Sequence, residues 1–285
     1  MADDIVTLLG DRRPPPQMPE ETRARLEAQL DAARVEAAAR PDDPDALIWL
    51  GRRTAYLGNY REAIETFSEG IARWPEDPRF HRHRGHRQIT LRRFDDAVAN
   101  FERAAVLIAD RPDETEPDGQ PNPRDIPTST LHFNVWYHLG LARYLRGELE
   151  PALVAYRECL AVSGNPDALV ATSHWLSMTL RRVGRDAEAA AVLAPISTEM
   201  DVIENGAYHR LLLLYKGELS PDDLLETPAN SNAALHDGTV GYGIGNWHLY
   251  NGRQEEALDW FRRIYAGPQW AAFGFIAAEA ELVRL

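Results

Sequence analysis

Five segments of the chain repeat one spacing. They read "LGNYREAIETF", "LRRFDDAVANF", "RGELEPALVAY", "VGRDAEAAAVL" and "NGRQEEALDWF". Each sets an alanine four residues ahead of a large apolar residue: Ala63 and Phe67, Ala97 and Phe101, Ala152 and Tyr156, Ala189 and Leu193, Ala257 and Phe261. Successive alanines lie 34, 55, 37 and 68 residues apart: one period of 34, one carrying an insertion of 21, one lengthened by three, and one doubled. A chain built this way is not organised around a single central core. Each unit reads as two antiparallel amphipathic helices, apolar at spacings of three and four, which bury their second face only by stacking on a neighbour. The functional question then becomes which helix faces line the stack.

A 34-residue period with this signature resembles the tetratricopeptide repeat, whose pattern runs W-x2-L-G-x2-Y, then A-x3-F, then P. Trp136, Leu139 and Gly140 match the first helix of the third repeat. Leu50, Gly51, Gly58, Tyr60, Ala63, Phe67 and Pro75 match nearly the whole of the first, and Gly85 and Gly245 occupy the same small-residue position. Arg143, Arg84 and Ser177 depart from the pattern, standing where it has tyrosine, leucine and glycine. The doubled spacing before Ala257 implies a hidden repeat over about 203–236, with a clear first helix, "ENGAYHRLLLLYKG", and a degenerate second, "SPDDLLETPAN".

The resemblance implies an all-α, right-handed α-α superhelix of about six helix-turn-helix repeats over 44–271. A proline-rich and acidic insert interrupts it at 112–132. Residues 1–19 are expected as an extended arm, since "DRRPPPQMP" favours polyproline geometry. Residues 20–43 read as a helix with Leu26, Leu30 and Val35 on its buried stripe, halted by Pro41 and Pro44. Residues 272–285 read as a final helix, with Trp270 just before it and Phe273 and Ile276 on it facing the stack. That end is apolar enough to meet a partner.

Thirty-one basic residues against 44 acidic give a net charge of −13, which opposes unspecific attraction to phosphate backbones or anionic membranes. No nucleic acid is expected as a partner. Cys159 is the sole cysteine, so neither an intramolecular disulfide nor a multi-cysteine zinc site is available. No apolar run approaches the roughly 18 residues of a membrane span, and the first twenty residues lack the basic start and apolar core of a secretory leader. The expected location is the cytoplasm, or outside it if a leader has been lost.

In proteins of this resemblance the first helix of each repeat lines the concave groove. Carried onto this chain, that rule selects Arg52 and Tyr56, then Arg79, Arg82 and His86, then Asn134, Tyr137 and Tyr144. It continues through His174 and Met178, Glu204 and Leu211, and Tyr242, Asn246 and Tyr250, with His83, His138 and Tyr208 at the rim. Within "RFHRHRGHR", Arg79, Arg82, His83 and His86 fall in one sector at about 100° per residue, whereas His81, Arg84 and Arg87 point elsewhere. The groove reads as basic and aromatic, suited to an acidic protein or peptide segment: arginine offers bidentate contacts to carboxylate and tyrosine offers area with a polar tip. The acidic insert could itself occupy the groove as a lid. The carboxylate clamp of chaperone-tail receptors is not reproduced, since its positions hold Ile48, Arg52, His83, Asn134 and His138.

Catalytic signatures are missing: there is no G-x-S-x-G, no H-E-x-x-H and no P-loop. "GYGIGN" opens a helix of a repeat rather than following a strand, so its glycines are read as close packing. Cys159 replaces a small core residue and is read as a buried thiol. The expectation is a non-catalytic scaffold without cofactor or metal. The alternative is an enzyme or metal-dependent protein using His83, His86, His138 and His174 with the groove arginines, for which three or four convergent ligands would be needed.

Overall fold

A computed structural model describes residues 4–225 and 233–285. The chain divides into two compact units, Met1–Asp113 and Glu114–Leu285. Helices make up nearly all of the regular structure. The strands among the described residues are β1 (Ile5–Val6) and β2 (Arg12–Arg13), which pair antiparallel with Ile5 opposite Arg13.

Among its described residues the first unit carries five helices: α1 (Glu20–Ala39), α2 (Pro44–Tyr56), α3 (Tyr60–Arg73), α4 (Pro78–Thr90) and α5 (Phe94–Ile108). Two Asp-Pro pairs set the starts of α2 and α4. Pro44 and Pro78 stand in the first turn, where their missing N–H is not needed, and the carboxylates of Asp43 and Asp77 accept from the backbone N–H of Asp45 (2.9 Å) and Arg79 (3.0 Å). Gly58, at φ +82°, turns the chain from α2 into α3, and at the equivalent turn from α4 to α5 stands Arg92, at φ +61°. The A-x3-F signature is the packing code between paired helices. Ala63 and Ala97 are fully buried, and Phe67 and Phe101 lie against Gly51 and Gly85, where a Cβ at Gly85 would come within 2.8 Å of the Phe101 ring.

Two details of this unit differ from expectation. Val35 is 70% exposed, and Ala33 takes its place on the buried stripe of α1 beside Leu26 and Leu30, which pack with Leu57. The N-terminal segment is extended only in part: residues 5–13 fold back as a hairpin, buried through Ile5, while Arg61 of α3 donates to the Asp4 carbonyl at 3.2 Å. Ile5 supplies the apolar anchor, and Gly10, at φ +90°, allows the turn.

The second unit opens with the insert. A bridge between Thr115 and Thr130 closes it. Its outer part is tied to the loop before α10 (Gly206–Lys216), because Asn122 and Thr128 donate to the Glu204 carboxylate at 2.6 and 2.8 Å and Arg124 pairs with Asp201 at 2.7 Å. The buried carboxylate of Asp167 organises the same loop by accepting from the N–H groups of Ile203, Glu204 and Asn205.

The helical pairs are α6 (Leu131–Arg146) with α7 (Leu149–Ala161), α8 (Pro166–Arg182) with α9 (Asp186–Leu193), and α12 (Ala233–Tyr250) with α13 (Gln254–Tyr265). The hidden repeat is α10 followed by the short α11 (Pro221–Leu225); part of its expected second helix, and of its span up to 236, lies outside the described residues. Gly241, Gly243 and Gly245 of "GYGIGN" meet Ile264, Leu211 and Phe261, so they serve close helix approach. Helix α14 (Phe273–Arg284) does more than cover the end of the last pair. It packs along α12 and α13 and reaches α6, burying Ile276, Ala278, Glu279 and Glu281.

Candidate functional site

The shared face of α2 and α4 concentrates positive charge. Arg52 lies with its guanidinium carbon 4.3 Å from the Trp49 ring centre and donates to the Tyr56 hydroxyl at 3.3 Å. Trp49 has a second cation on it, Arg53, at 4.9 Å. From α4, Arg82 donates through Nη1 to His83 Nδ1 at 3.0 Å, which fixes that nitrogen as an acceptor. The His83 ring stacks on Phe67 at 5.4 Å. Burial holds its pKa well below the ordinary imidazole value, and Arg82, Arg52, Arg87 and Arg79 push in the same direction, so the ring is neutral.

Arg87 belongs to this group although its position on the helical wheel points away from Arg82. Its guanidinium sits over the Tyr60 ring at 5.6 Å, and burial pushes its pKa down to about 10, with Arg82 and Arg52 adding to the effect. The side chain is long enough to bring its head back toward the α2–α4 face. Among the described residues Arg87 has no carboxylate within ion-pair distance.

Other members of "RFHRHRGHR" are spent on structure. Arg79 is clamped between Asp77 (2.7 Å) and Asp45 (2.6 Å), which raises its pKa further. His81 and Arg84 both donate to the Asn100 side-chain oxygen, at 3.1 and 3.0 Å, and so join α4 to α5 on the opposite side. His86 is partly buried.

Most of the sequence-selected residues of the second unit are embedded in its interior, whereas Glu204 is exposed and Tyr208 and Tyr250 are half-buried. Asn134 donates to Glu116 of the insert (3.0 Å) and to Ser129. His138 donates from Nδ1 to the Asn134 carbonyl and meets Phe273 of α14 edge-on at 5.6 Å. Tyr137 accepts from Trp175 Nε1 at 2.8 Å and lies 3.4 Å from the Tyr208 hydroxyl. His174 is stacked between Tyr208 and Tyr215, and burial pushes its pKa down to about 3. Asn246 accepts from Arg182 at 3.1 Å. Among the described residues no three His, Cys, Asp or Glu side chains converge as metal ligands. Cys159 is buried against Thr172 and Phe133, with its thiol pushed up to about 12, a packing group rather than a nucleophile.

Sequence reasoning missed Arg87, Arg182 and Glu281. For the first, the available signal was the run of four arginines on one short helix. For the other two there was a weaker one, a glutamate amid the alanines of an apolar terminal helix.

Paired helices joined by tight turns, with an alanine and an aromatic residue packed on a small residue of the partner helix, define an all-α helical-repeat protein. A profile described as tetratricopeptide repeat matches residues 50–114, and the fold is that of the tetratricopeptide-repeat solenoids. Solved structures of the same fold include a tetratricopeptide repeat protein from Parabacteroides merdae ATCC 43184. It is 11% identical, with 92% of this chain and 94% of that one covered at a TM-score of 0.54. The Rap conjugation gene regulator of the plasmid pLS20, solved in complex with a Phr peptide, is 15% identical, with 92% and 73% covered at 0.54. YrrB, described as a TPR protein with an unusual peptide-binding site, is 12% identical, with 89% and 99% covered at 0.46. At these identities the likeness to the first two is one of fold. No curated protein matches the sequence. No described helix is long and apolar enough to cross a membrane.

Proposed function

We propose that the chain is a non-catalytic interaction scaffold whose α2–α4 face binds an acidic segment of a partner protein. The observation that carries this reading is Arg87. A guanidinium stays charged at neutral pH, and here it sits partly desolvated beside Arg82 and Arg52 with no carboxylate of the described chain to answer it. Such an arrangement stores unfavourable electrostatic energy that an incoming carboxylate relieves. Neutral His83, buried and stacked on Phe67, adds no repulsion, while the half-buried Trp49 and Tyr56 supply aromatic area beside the charges. The pLS20 regulator, a protein of the same fold, was solved with a peptide bound, which is consistent with a peptide as the ligand class.

Fluorescence anisotropy with a labelled decapeptide of alternating Glu and Tyr tests the reading. Arg87→Gln is expected to weaken binding by about tenfold, in line with loss of a charge-assisted contact. Its melting temperature should hold or rise, because an uncompensated cation has been removed. Equal binding by wild type and Arg87→Gln, or equal binding of a Lys-Tyr decapeptide, would count against it.

A further inference from the structure

The second unit contains a buried recognition set for a carboxylate, and the chain's own C-terminal helix fills it. Arg182, at the end of α8, donates from Nη1 to Glu281 Oε1 at 2.9 Å and from Nη2 to Oε2 at 3.2 Å, a bidentate pair. Glu281 is 1% exposed. Around it, the Tyr242 hydroxyl lies 3.5 Å from Oε1 and 2.7 Å from the Tyr144 hydroxyl, and Arg284 donates to the same carboxylate at 3.3 Å. Three helices, α6, α8 and α12, thus converge on one side chain of a fourth. Gly274, Ala277, Ala278 and Ala280 of α14 are buried, and Gly274 lies so close to the α12 backbone at Gly238 that a Cβ there would collide with it.

The resident helix does not satisfy the seam completely. Asn246 is wholly buried and accepts from Arg182 through its oxygen, which leaves its Nδ2 amide without a hydrogen-bond partner. A buried donor left unmet is costly, and native structures rarely tolerate one without reason. An occupant offering both a carboxylate for Arg182 and an acceptor for Asn246 would fit better than α14. We propose that the seam of α6, α8 and α12 is a second binding site, specific for an acidic amphipathic helix of a partner protein, and that α14 is the resident helix which that partner displaces. Tethering gives α14 a high effective concentration, so the seam is closed until a helix of greater complementarity arrives. The site shares no residue with the α2–α4 face, so either reading stands or falls without the other.

The test uses the full chain and a labelled peptide corresponding to residues 272–285. In a Glu281→Gln chain the resident grip is weakened while the seam keeps Arg182, Tyr144, Tyr242 and Asn246. That chain is expected to bind the peptide at least tenfold more tightly than wild type, and the same peptide carrying Glu281→Gln should lose the gain. Equal binding of both peptides, or of neither by either chain, would overturn the proposal. A wild-type dimer abolished by Glu281→Gln would do the same by identifying the occupant as a second copy's α14. Hydrogen exchange on the unaltered chain gives an answer independent of variant folding: α14 amides should exchange at least tenfold faster than those of α12 and α13. Exchange of all three at one common rate would contradict displacement.

Discussion

At the scale of single residues, what a side chain does depends on where its charged or polar end arrives rather than on where its Cβ points. Arg79 faces the side that the helical wheel assigns, yet Asp45 and Asp77 consume it. Arg87 starts from the wrong face and reaches the arginine group. No periodicity argument on α4 alone distinguishes these two fates, because Asp45 is brought by α2 and Tyr60, beneath the Arg87 guanidinium, by α3. Arg92 offers a prediction of a different kind. It occupies the left-handed conformation that Gly58, Gly147, Gly184 and Gly252 hold at the equivalent turn of other repeats. That conformation costs an L-residue about 1–2 kcal/mol, partly offset in an Arg92→Gly variant by the greater unfolded-state freedom of glycine and by loss of the bond from Arg92 to the Thr90 carbonyl. Arg92→Gly should therefore raise stability modestly, by about 0.5 kcal/mol, measured by urea denaturation. A clear loss would mean that the arginine contacts outweigh the strain.

At the scale of elements, the helix pairs were legible because their packing code is written in the sequence at fixed distances. Alanine, the aromatic residue four positions on and the small residue of the preceding helix recur as Gly85 with Phe101, Gly140 with Tyr156 and Gly245 with Phe261. Gly85→Val should accordingly cost on the order of 1–3 kcal/mol through overpacking against Phe101; a thermal melt equal to wild type would remove this explanation of the code. Helix α14 was legible as an apolar helix but not as the occupant of the seam. Amphipathicity announces that a face is buried, not which helices bury it, and the Arg182–Glu281 pair spans 99 residues. The same limit applies to Val35, which stands on an apparent apolar stripe and is nonetheless exposed.

At the scale of the whole molecule, the buried histidines make stability depend on pH. His83, His81 and His174 all have folded-state pKa values below the ordinary imidazole value, with burial the leading cause in each. As pH falls below about 6.5, the unfolded chain takes up protons that the folded chain refuses. Stability is therefore fully present above that pH and declines below it, for His174 down to about 3, at about 1.4 kcal/mol per pH unit for each proton withheld. Denaturation midpoints should fall from pH 7 to pH 5, and His174→Phe should make the decline shallower; an unchanged slope would mean that His174 is protonated in the folded state. The central claim is that an acidic segment is held on the α2–α4 face. Hydrogen exchange of the full chain with and without the Glu-Tyr decapeptide tests it most directly. Protection gathered in 45–56 and 79–90 is the predicted result. Protection confined to the second unit, or none at saturating peptide, would contradict it.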